Sequence, residues 1–568
     1  MLRGHGGVCR VQILNEKANL TNNMKTINMN FKGMVLTALI SLGSMTAAAG
    51  EPANYNVVPL PQSIVMTKGA AFEVDADVQI LAPAELQSEA EFLKQYIKEL
   101  TKCDLTIVNK RAKKVRYIEL AVSPKVTAKE GYVLNINQKG VTIQGGTAAG
   151  VFYGIQTLRK SLPIACKCGK HKGGSLPAAT ITDAPRFGYR GMMLDCSRHF
   201  WSVDFVKKFI DLLAMHNMNT FHWHLSDDQG WRIEIKKYPK LTTIGSQRSG
   251  TILGTNSDLD DGIPHGGFYT QQEARDIVKY AQERHITIIP EIDMPGHMLA
   301  ALACYPELGC TGGPYEVGHY WGVYTDVLCV GNPKVYDFVE GVLAEIMDIF
   351  PSEVIHIGGD ETPTVKWEAC PKCQALGLKK EQLQAHFTQK VFDFLTAHKR
   401  RALGWDEILD GCPQDAMIMS WRGSEPGAKA AEAGHDVVMA PTSHCYFDYL
   451  QSEDARFEPS RCGGFIPVEK VYSLEPAPES FSAEAKKHIL GAQANLWSEY
   501  LLTEGLVEYQ ALPRMAALAE VQWTLPELKN FEAFKERLTR FTAIYELYNY
   551  KYAKHLWPER QLPSRWQF

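Results

Sequence analysis

Two adjacent carboxylates, Asp360 and Glu361, are the residues of this chain with the clearest capacity for acid–base chemistry. They follow the pair Gly358-Gly359, and glycines allow backbone or a ligand to approach closely. Adjacent residues that leave a strand point in different directions, so the two acids can perform different tasks. One can protonate a leaving group while the other acts nearby, and their proximity is expected to raise one of the two pKa values.

Carboxylates and tryptophans end one predicted strand after another in the second part of the chain. Carboxylates are almost never fully buried unless they are paired, and an isolated buried charge destabilises a core by several kcal/mol. A structural salt bridge is an alternative for any single acid, whereas the set favours an active site. Aromatic walls and acid pairs suit the cleavage of glycosidic bonds. The side chains assigned to strand ends include Arg190, Asp195, Arg198, His199, Asp227, Asp228, Glu291, Asp293, His297, Trp405, Asp406, Glu407, Trp421, Tyr446, Asp448, Trp497 and Glu499.

The elements that must position these residues begin near residue 186, where short apolar segments start to alternate with segments of helical periodicity. Eight strands joined by helices predict an α/β fold, a (β/α)8 TIM barrel. In such a barrel the active site lies at the carboxyl ends of the strands. The predicted strands are Tyr189–Asp195, Asn219–Leu225, Ile286–Ile292, Val354–Ile357, Ala402–Trp405, Met417–Trp421, Asp436–Ala440 and Ile489–Asn495.

Capping residues mark where some of the barrel helices begin. Ser202 is predicted to cap the first helix, and Thr270 with Glu273 forms a capping box at a later one. Thr503–Gln522 is predicted as the last large helix. The connection spanning residues 450–487 is long and irregular, so the seventh helix has no clear bounds.

A small α/β domain is predicted at residues 51–184, between an extension with a leader at 1–50 and the barrel with its helical end at 185–568. A segment rich in Gly, Lys, Cys and Pro at 163–185 is interpreted as the boundary. The predicted elements of the small domain are the helices Glu85–Leu100 and Thr147–Leu162 and the strands Tyr117–Val122, Tyr132–Ile136 and Val141–Gln144.

Residues 33–45 form a short apolar segment, preceded by Lys25 and Lys32 and followed by small residues at 47–50. This arrangement is typical of a secretory signal peptide, and the segment is too short for a comfortable membrane span. A buried helix is the alternative interpretation. We expect export to the periplasm or the medium, with no stable membrane span.

Thirteen cysteines are then interpreted in an exported context, where disulfides are permitted. Cys304, Cys310 and Cys329 crowd one segment, and a bridge between the latter two is expected. A CxC pair at 166–168 and a CxxC pair at 370–373 lie far apart in the sequence. Disulfides or free thiols are therefore favoured over a zinc site, which needs four ligands.

The composition excludes several classes of protein. With 45% hydrophobic and 22% charged residues, the chain is an ordinary globular protein, not a disordered, collagen-like or multi-span membrane protein. Sixty basic and 64 acidic residues give a net charge of −4, which argues against a nucleic-acid partner. His222 and His224 raise the question of a metal hydrolase, but no further histidines at strand ends complete a site. No metal or cofactor is predicted, and the sequence defines no oligomeric state.

Six sequence motifs resemble those of the β-N-acetylhexosaminidases, glycoside hydrolase family 20, and the similarity spans about residues 55–550. The resemblance implies a small α/β domain followed by a (β/α)8 barrel. It also implies retaining exo-hydrolysis of terminal N-acetylglucosamine or N-acetylgalactosamine from an oligosaccharide or glycoconjugate, through an oxazolinium ion formed by the substrate's own acetamide. The motifs are GTAAGVFYGIQTL (146–158), HWHLSDDQGWRIEI (222–235), IIPEIDMPGH (288–297), HIGGDE (356–361), GWDE (404–407) and LWSE (496–499).

The resemblance also implies roles for individual residues. Glu361 resembles the general acid/base, and Asp360 resembles the residue that orients the acetamide and stabilises its developing positive charge. Tyr446 would donate its hydroxyl to the acetamide oxygen. His297 and Asp227 would form a supporting polar pair beside the acid. The residues that would wall the sugar or hold its hydroxyls are Trp405, Trp421, Trp497, Arg190, Asp448 and Glu499.

Two alternatives stay open at this point. A lacto-N-biosidase, which releases a disaccharide, would need a deeper pocket made by the long loops 242–268 and 441–487. A glycan-binding protein with an inactive site is the second alternative, and the intact Asp360-Glu361 pair argues against it.

Overall fold

The computed structural model describes residues 51–164, 172–254, 257, 259–454, 458–459 and 463–557. The signal-peptide prediction and the CxC pair both fall on residues outside these ranges. In the described part of the chain, no helix combines the length and the apolar character needed to cross a membrane.

The N-terminal part forms an α/β layer with a seven-stranded mixed sheet in the order β1-β9-β6-β7-β5-β3-β4, while β2 pairs with β8. Two helices contact each other and this sheet, α1 (Gln87–Thr101) and α2 (Ala148–Ser161). The strands are β1 (Ser63–Met66), β2 (Phe72–Val74), β3 (Val78–Leu81), β4 (Thr106–Val108), β5 (Arg116–Val122), β6 (Tyr132–Asn137), β7 (Gly140–Gly145), β8 (Gly174–Leu176) and β9 (Ala179–Asp183).

The second part contains eight parallel strands that close into a barrel in the order β10-β11-β16-β17-β18-β19-β20-β21, with β21 pairing back to β10. Strands β12 with β13 and β14 with β15 form two small hairpin-like pairs outside it. The strands are β10 (Tyr189–Asp195), β11 (Thr220–His224), β12 (Ser226–Asp227), β13 (Gly230–Trp231), β14 (Gln247–Arg248), β15 (His265–Gly266), β16 (Thr287–Glu291), β17 (Val354–His356), β18 (Arg401–Trp405), β19 (Met417–Ser420), β20 (Val437–Met439) and β21 (Ile489–Leu496).

The predicted fold class is therefore confirmed, and each of the eight predicted barrel strands is present within two residues of its predicted bounds. The strands were recognisable because parallel barrel strands are covered on both faces and are apolar along their length. β10 illustrates this, since all seven of its residues are buried.

Helices surround the barrel, and the predicted caps are formed. The Ser202 hydroxyl accepts from the Phe205 amide, and Thr270 and Glu273 make both bonds of a capping box. The helices of this part are α3 (Val203–Met215), α4 (Lys240–Thr243), α5 (Gln271–Gln282), α6 (Leu299–Cys304), α7 (Pro333–Ile349), α8 (Val365–Ala369), α9 (Pro371–Gln374), α10 (Lys380–Ala397), α11 (Ser424–Glu432), α12 (Thr442–Cys445), α13 (Val468–Tyr472), α14 (Ala483–His488), α15 (Glu504–Ala511), α16 (Arg514–Trp523) and α17 (Phe531–Leu547).

The last large helix predicted at Thr503–Gln522 is wrong as a single element. It is divided into α15 and α16 at Leu512-Pro513. Proline has no amide hydrogen to donate and its ring clashes with the preceding turn, which interrupts the helix. The freed segment lets the buried Arg514 guanidinium donate to the carbonyls of Tyr449 and Ile466 at 3.0 and 3.1 Å.

The disulfide expected between Cys310 and Cys329 is not formed, and both residues are free cysteines in the structure. They lie instead beside the CxxC pair, Cys370 and Cys373. Sequence separation concealed this arrangement, since the two pairs come together only when the segments after β16 and β17 pack against each other.

Candidate active site

The turn after β17 carries the acid pair at the carboxyl end of the barrel. Gly358 and Gly359 have φ angles of 67° and 96°, which residues with a Cβ rarely adopt. A Cβ on Gly358 would lie 1.6 Å from Asp293 Oδ1, and one on Gly359 would lie 2.4 Å from Ile408 Cγ2. Asp293 Oδ1 also accepts a hydrogen bond from the Gly359 amide at 3.2 Å. The glycine pair therefore permits the tight turn that presents the acids, and it allows the close approach of Asp293 and Ile408.

Glu361 is the more accessible acid, with 43% of its side chain exposed. Its own φ is 44°, in the left-handed region that is uncommon for residues other than glycine. Its Oε2 lies 3.6 Å from His297 Nε2. The nearby imidazole of His297 lowers the pKa of Glu361, and burial opposes this effect.

His297 connects the acid to a chain of buried charges. Its Nδ1 lies 3.1 Å from Asp227 Oδ1 and 3.1 Å from Asp228 Oδ2. Burial lowers the pKa of His297, but the two carboxylates outweigh this and raise it well above its usual value. Asp227 Oδ2 in turn lies 2.9 Å from His224 Nε2, and His224 Nδ1 contacts Glu291. His297 and Asp227 therefore form a polar pair beside Glu361. His224 and Glu291 hold this pair in position.

Asp360 lies deeper than Glu361, with 13% of its side chain exposed and Oδ2 3.8 Å from His297 Nε2. Its buried Oδ1 has no hydrogen-bond partner among the described residues. Burial raises the pKa of Asp360, as do Glu291 and Glu361, while His297 opposes them. Of the two adjacent acids, the one whose pKa is raised is thus Asp360, because it is more deeply buried than Glu361.

Aromatic side chains form a wall around the acid pair. Trp405 lies at the end of β18 and donates to Glu291 Oε1 at 3.0 Å, and its ring centroid is 5.9 Å from that of Trp497. Trp421 and Tyr446 stack with centroids 6.2 Å apart and planes inclined by 26°. Burial raises the pKa of Tyr446 well above its usual value, so its hydroxyl stays protonated and can donate. The structure therefore brings all four predicted aromatic residues together.

Asp448 and Glu499 form an acidic end of this site. Buried oxygens of both, Asp448 Oδ1 and Glu499 Oε2, have no hydrogen-bond partner within the described residues. Burial and the neighbouring Glu499 raise the pKa of Asp448 well above its usual value. Burial also raises the pKa of Glu499, with Arg198 opposing it. Unpaired carboxylate oxygens in a cleft favour a ligand that carries several hydroxyl or amide donors.

Arg198 is the basic residue at this end of the barrel. Its Nη2 lies 2.9 Å from Asp227 Oδ2, its Nη1 is 3.4 Å from Asp195 Oδ2, and its guanidinium carbon is 4.9 Å from the Trp497 ring centroid. Only 8% of the residue is exposed. Carboxylates on several sides hold the pKa of Arg198 well above its usual value despite burial.

The role predicted for Arg190 in holding sugar hydroxyls is wrong. Arg190 is the second residue of β10, about 16 Å from the strand's carboxyl end at 3.3 Å per residue, and it is fully buried. Its guanidinium bonds to Glu130 at 2.8 Å and to the Tyr153 hydroxyl at 3.0 Å, both in the N-terminal domain. Its position before the apolar core of the strand was the signal that it belongs to the opposite end of the barrel. Arg198, three residues after the strand, occupies the predicted place.

Glu407 is a further acid of the site, predicted to lie at a strand end but without an assigned role. It accepts a hydrogen bond from Trp421 Nε1 at 2.9 Å. Burial raises the pKa of Glu407 to about 7, and the nearby Asp360 adds to this effect. Its position at the end of β18, directly after Trp405 and Asp406, was a usable signal because the carboxyl ends of barrel strands converge.

Three groups near the site bring potential metal ligands within 4.8 Å of one another: His222–Glu291–His356, Asp227–Asp228–His297 and Asp293–His297–Asp360. In each group a carboxylate already lies beside an imidazole, as Glu291 does 2.9 Å from His222 and 3.0 Å from His356.

Family models match both parts of the chain. Residues 187–526 match the model described as glycosyl hydrolase family 20, catalytic domain. Residues 54–184 match glycosyl hydrolase family 20, domain 2. The two matches meet between β9 and β10, where the sheet of the N-terminal part ends and the barrel begins.

Curated relatives include a β-hexosaminidase of Porphyromonas gingivalis, 42% identical over 508 residues, which cover 88% of this chain and 64% of the relative. The chain thus spans less than two-thirds of that relative's length. A β-hexosaminidase of Vibrio furnissii is 35% identical over 489 residues, which cover 83% of this chain and 77% of the relative.

Solved structures of the same family have the same fold. A GH20 β-N-acetylhexosaminidase from Streptomyces coelicolor A3(2) is 30% identical, with a TM-score of 0.78 that covers 90% of this chain and all of the other. A GH20 exo β-N-acetylglucosaminidase from Vibrio harveyi, solved with N-acetylglucosamine, is 32% identical with a TM-score of 0.78, covering 89% and 80%. With an acid pair among aromatic walls at the end of a closed barrel, the chain belongs to glycosyl hydrolase family 20 and is a glycoside hydrolase.

Proposed function

We propose that this enzyme is a retaining exo-β-N-acetylhexosaminidase, which releases terminal β-linked N-acetylglucosamine or N-acetylgalactosamine with the substrate's acetamide as the nucleophile. The names of the relatives support this assignment. The observation that carries the proposal is the buried, unpartnered Oδ1 of Asp360 beside the exposed carboxyl of Glu361. Such an oxygen can accept a hydrogen bond from the N–H of an acetamide.

In the first step, the acetamide oxygen attacks the anomeric carbon while the bond from that carbon to the departing oxygen breaks. Glu361 in its acid form gives its proton to the departing oxygen. The Tyr446 hydroxyl donates to the acetamide oxygen and Asp360 accepts from the acetamide N–H, which orients the nucleophile. Intramolecular attack of this kind has a high effective molarity. The product is an oxazolinium ion, whose positive charge the Asp360 carboxylate stabilises.

In the second step, Glu361 as a carboxylate takes a proton from water, and the water oxygen attacks the anomeric carbon. The bond between this carbon and the acetamide oxygen breaks, which regenerates the acetamide and leaves the sugar with its original β configuration. Two inversions thus give retention without a nucleophile from the enzyme.

The first step needs Glu361 to be protonated, but its pKa is lowered in the free enzyme. Substrate binding is expected to raise it. A sugar above Glu361 removes water from a side chain that is 43% exposed, and desolvation raises the pKa of a carboxyl group. An acetamide N–H bound to Asp360 has the opposite effect on that residue, since a hydrogen bond to a carboxylate favours its ionised form. Binding therefore moves both acids toward the protonation states that the first step needs.

The acidic end of the site supports exo-cleavage. Asp448 and Glu499 each have a buried oxygen free to accept, and Arg198 lies beside Glu499 with donors to offer. These groups suit the hydroxyls of a terminal sugar, which must be hydrogen-bonded when they leave water. Trp405, Trp421 and Trp497 would supply the apolar surface for the ring and the acetamide methyl.

The test uses para-nitrophenyl glycosides with a product assay by NMR. N-Acetyl-β-glucosaminide and galactosaminide should be cleaved, and the β-glucoside that lacks the acetamide should be cleaved about 1,000-fold or more slowly, because it lacks the nucleophile. The β-anomer should form first. Equal rates for the acetamide and hydroxyl substrates, or an α-anomer as the first product, would contradict the proposal.

Defined glycans then decide the size of the product. A free N-acetylhexosamine from every substrate supports exo-cleavage of a monosaccharide. A disaccharide as the first product would instead favour the lacto-N-biosidase alternative, and binding without turnover would favour an inactive glycan-binding protein.

A further inference from the structure

Four cysteine side chains converge outside the active site, on the segment that follows Glu361. Their Sγ atoms all lie within 4.8 Å of one another, and none of the four forms a disulfide. Three of them are at most 4% exposed and the fourth is partly exposed. We call these residues the four-cysteine cluster: Cys310, Cys329, Cys370 and Cys373.

The spacing of the sulfurs is that of one tetrahedron. Cys329 Sγ lies 3.6 Å from Cys370 Sγ and 3.6 Å from Cys373 Sγ, and Cys310 Sγ lies 3.9 Å from Cys373 Sγ. A zinc ion bound to four thiolates at about 2.3 Å places neighbouring sulfurs about 3.8 Å apart. Two disulfides would instead divide the sulfurs into pairs about 2 Å apart. The cluster is not divided in this way.

The backbone holds the two pairs of cysteines in defined positions. Cys310 and Cys329 flank an antiparallel bridge between Gly309 and Leu328, and the Cys329 amide donates to the Leu308 carbonyl at 2.8 Å. The other pair is a CxxC motif at the start of α9, with Cys370 preceding the helix and Cys373 in its single turn. Paired ligands of this kind, one pair with two residues between its cysteines, are typical of structural zinc sites.

Gly331 brings the two segments into contact. A Cβ at this position would lie 2.2 Å from the Lys372 carbonyl oxygen and 2.5 Å from the Cys373 nitrogen, so only glycine allows the approach.

We propose that the four-cysteine cluster binds a structural zinc ion. Zinc prefers four ligands in a tetrahedron, and a closed set of four thiolates excludes water from the metal, as in structural rather than catalytic sites. The ion would join the segment after β16 to the segment after β17. The same interface is supported by Trp367, whose indole donates to the Leu328 carbonyl at 2.8 Å. Cys370 follows Glu361 by nine residues, so zinc would also stabilise the backbone that carries the general acid.

Metal analysis of the full-length enzyme, expressed in medium with zinc, tests this directly. We expect one zinc per chain by elemental analysis and by native mass spectrometry. Cobalt in place of zinc should give the charge-transfer and ligand-field absorption of tetrahedral cobalt thiolate. Alkylation under denaturing conditions with a chelator should modify all four cysteines, because none of them is expected to form a disulfide.

Two outcomes would overturn the proposal. A zinc content far below one per chain, with all four cysteines alkylated in the denatured protein, would show four simple thiols. A denatured mass lower than that of the reduced chain by two hydrogens per bond, with no zinc, would show disulfides.

Variants separate a metal site from ordinary packing. Cys370→Ala with Cys373→Ala should lose zinc and lower the Tm, whereas Cys103→Ala, which removes a buried thiol from the N-terminal domain, should retain one zinc. Equal zinc content in both variants would place the metal elsewhere and overturn the assignment, whatever the change in Tm.

Discussion

The imidazole of His297 lies between two carboxylates. Its Nε2 is 3.6 Å from Glu361 Oε2, and its Nδ1 is 3.1 Å from Asp227 Oδ1. Asp227 keeps the imidazole charged, and the charged imidazole lowers the pKa of Glu361. Asp227 therefore influences the pKa of Glu361 through His297, without needing to contact the substrate itself.

Replacement of His297 tests this arrangement through the pH profile. In His297→Ala the pKa of Glu361 should rise, so the alkaline limb of kcat/KM should move to higher pH, because the acid keeps its proton longer. At the optimum, kcat should fall about 100-fold as Glu361 loses its support. His398→Ala, at the exposed end of α10, is the control. An unchanged alkaline limb would mean that His297 has only a structural role.

Substitutions of Arg198 and Arg190 are expected to have different effects, the first on catalysis and the second on stability. Arg198→Met should lower kcat/KM about 10- to 100-fold, since a hydrogen bond to a charged group contributes about 1.5–3 kcal/mol. Arg190→Met removes the cation that pairs with Glu130 at the other end of the barrel, so it should lower the Tm while the kinetic constants of the folded enzyme change little. Steady-state kinetics and thermal unfolding of both variants check this. A larger kinetic loss in Arg190→Met would restore the role first predicted for it.

Arg190 and Arg198 also show which features of the site can be predicted from the sequence and which cannot. Residue types, strand ends and motifs were sufficient to locate the barrel and the acid pair, because apolar strands and the polar residues that follow them differ sharply in composition. Which end of a strand a residue occupies decided between Arg190 and Arg198. The four-cysteine cluster and the pKa values of Asp360 and Glu361 depend on contacts between segments far apart in the chain, which spacing along the sequence does not contain.

The turn at Gly359 is predicted to be intolerant of any side chain. Gly359→Ala places a Cβ 2.4 Å from Ile408 and adds strain at a φ of 96°, so it should reduce kcat and lower the Tm. Gly423→Ala is the matched control, because its φ of 141° is also positive but nothing lies within 4 Å of the new Cβ. It should lower the Tm through strain alone and leave kcat near that of the wild type. Equal effects on kcat would indicate that the clash does not reach Asp360 and Glu361.

Glu407 predicts a pH-dependent component of stability. Its pKa is about 7 in the folded chain against 4.5 in an unperturbed glutamate, raised by burial and by Asp360, and its side chain is 17% exposed. Between these values the folded state binds a proton that the unfolded state has released, so the free energy of unfolding falls as pH rises through this window. The total loss is at most about 3 kcal/mol at 1.36 kcal/mol per pKa unit. Chemical denaturation of wild type and Glu407→Gln from pH 4 to 8 measures it.

Glu407→Gln keeps an acceptor for the Trp421 indole and cannot ionise. The difference in unfolding free energy between variant and wild type should therefore grow in favour of the variant as pH rises from about 4.5 to 7, and level off above that value. Glu479→Gln, an exposed position far along the chain, is the control and should follow the wild type at every pH. A constant difference between Glu407→Gln and wild type across the range would mean that Glu407 ionises no differently in the folded and unfolded chains, and that its bond to Trp421 is independent of its charge.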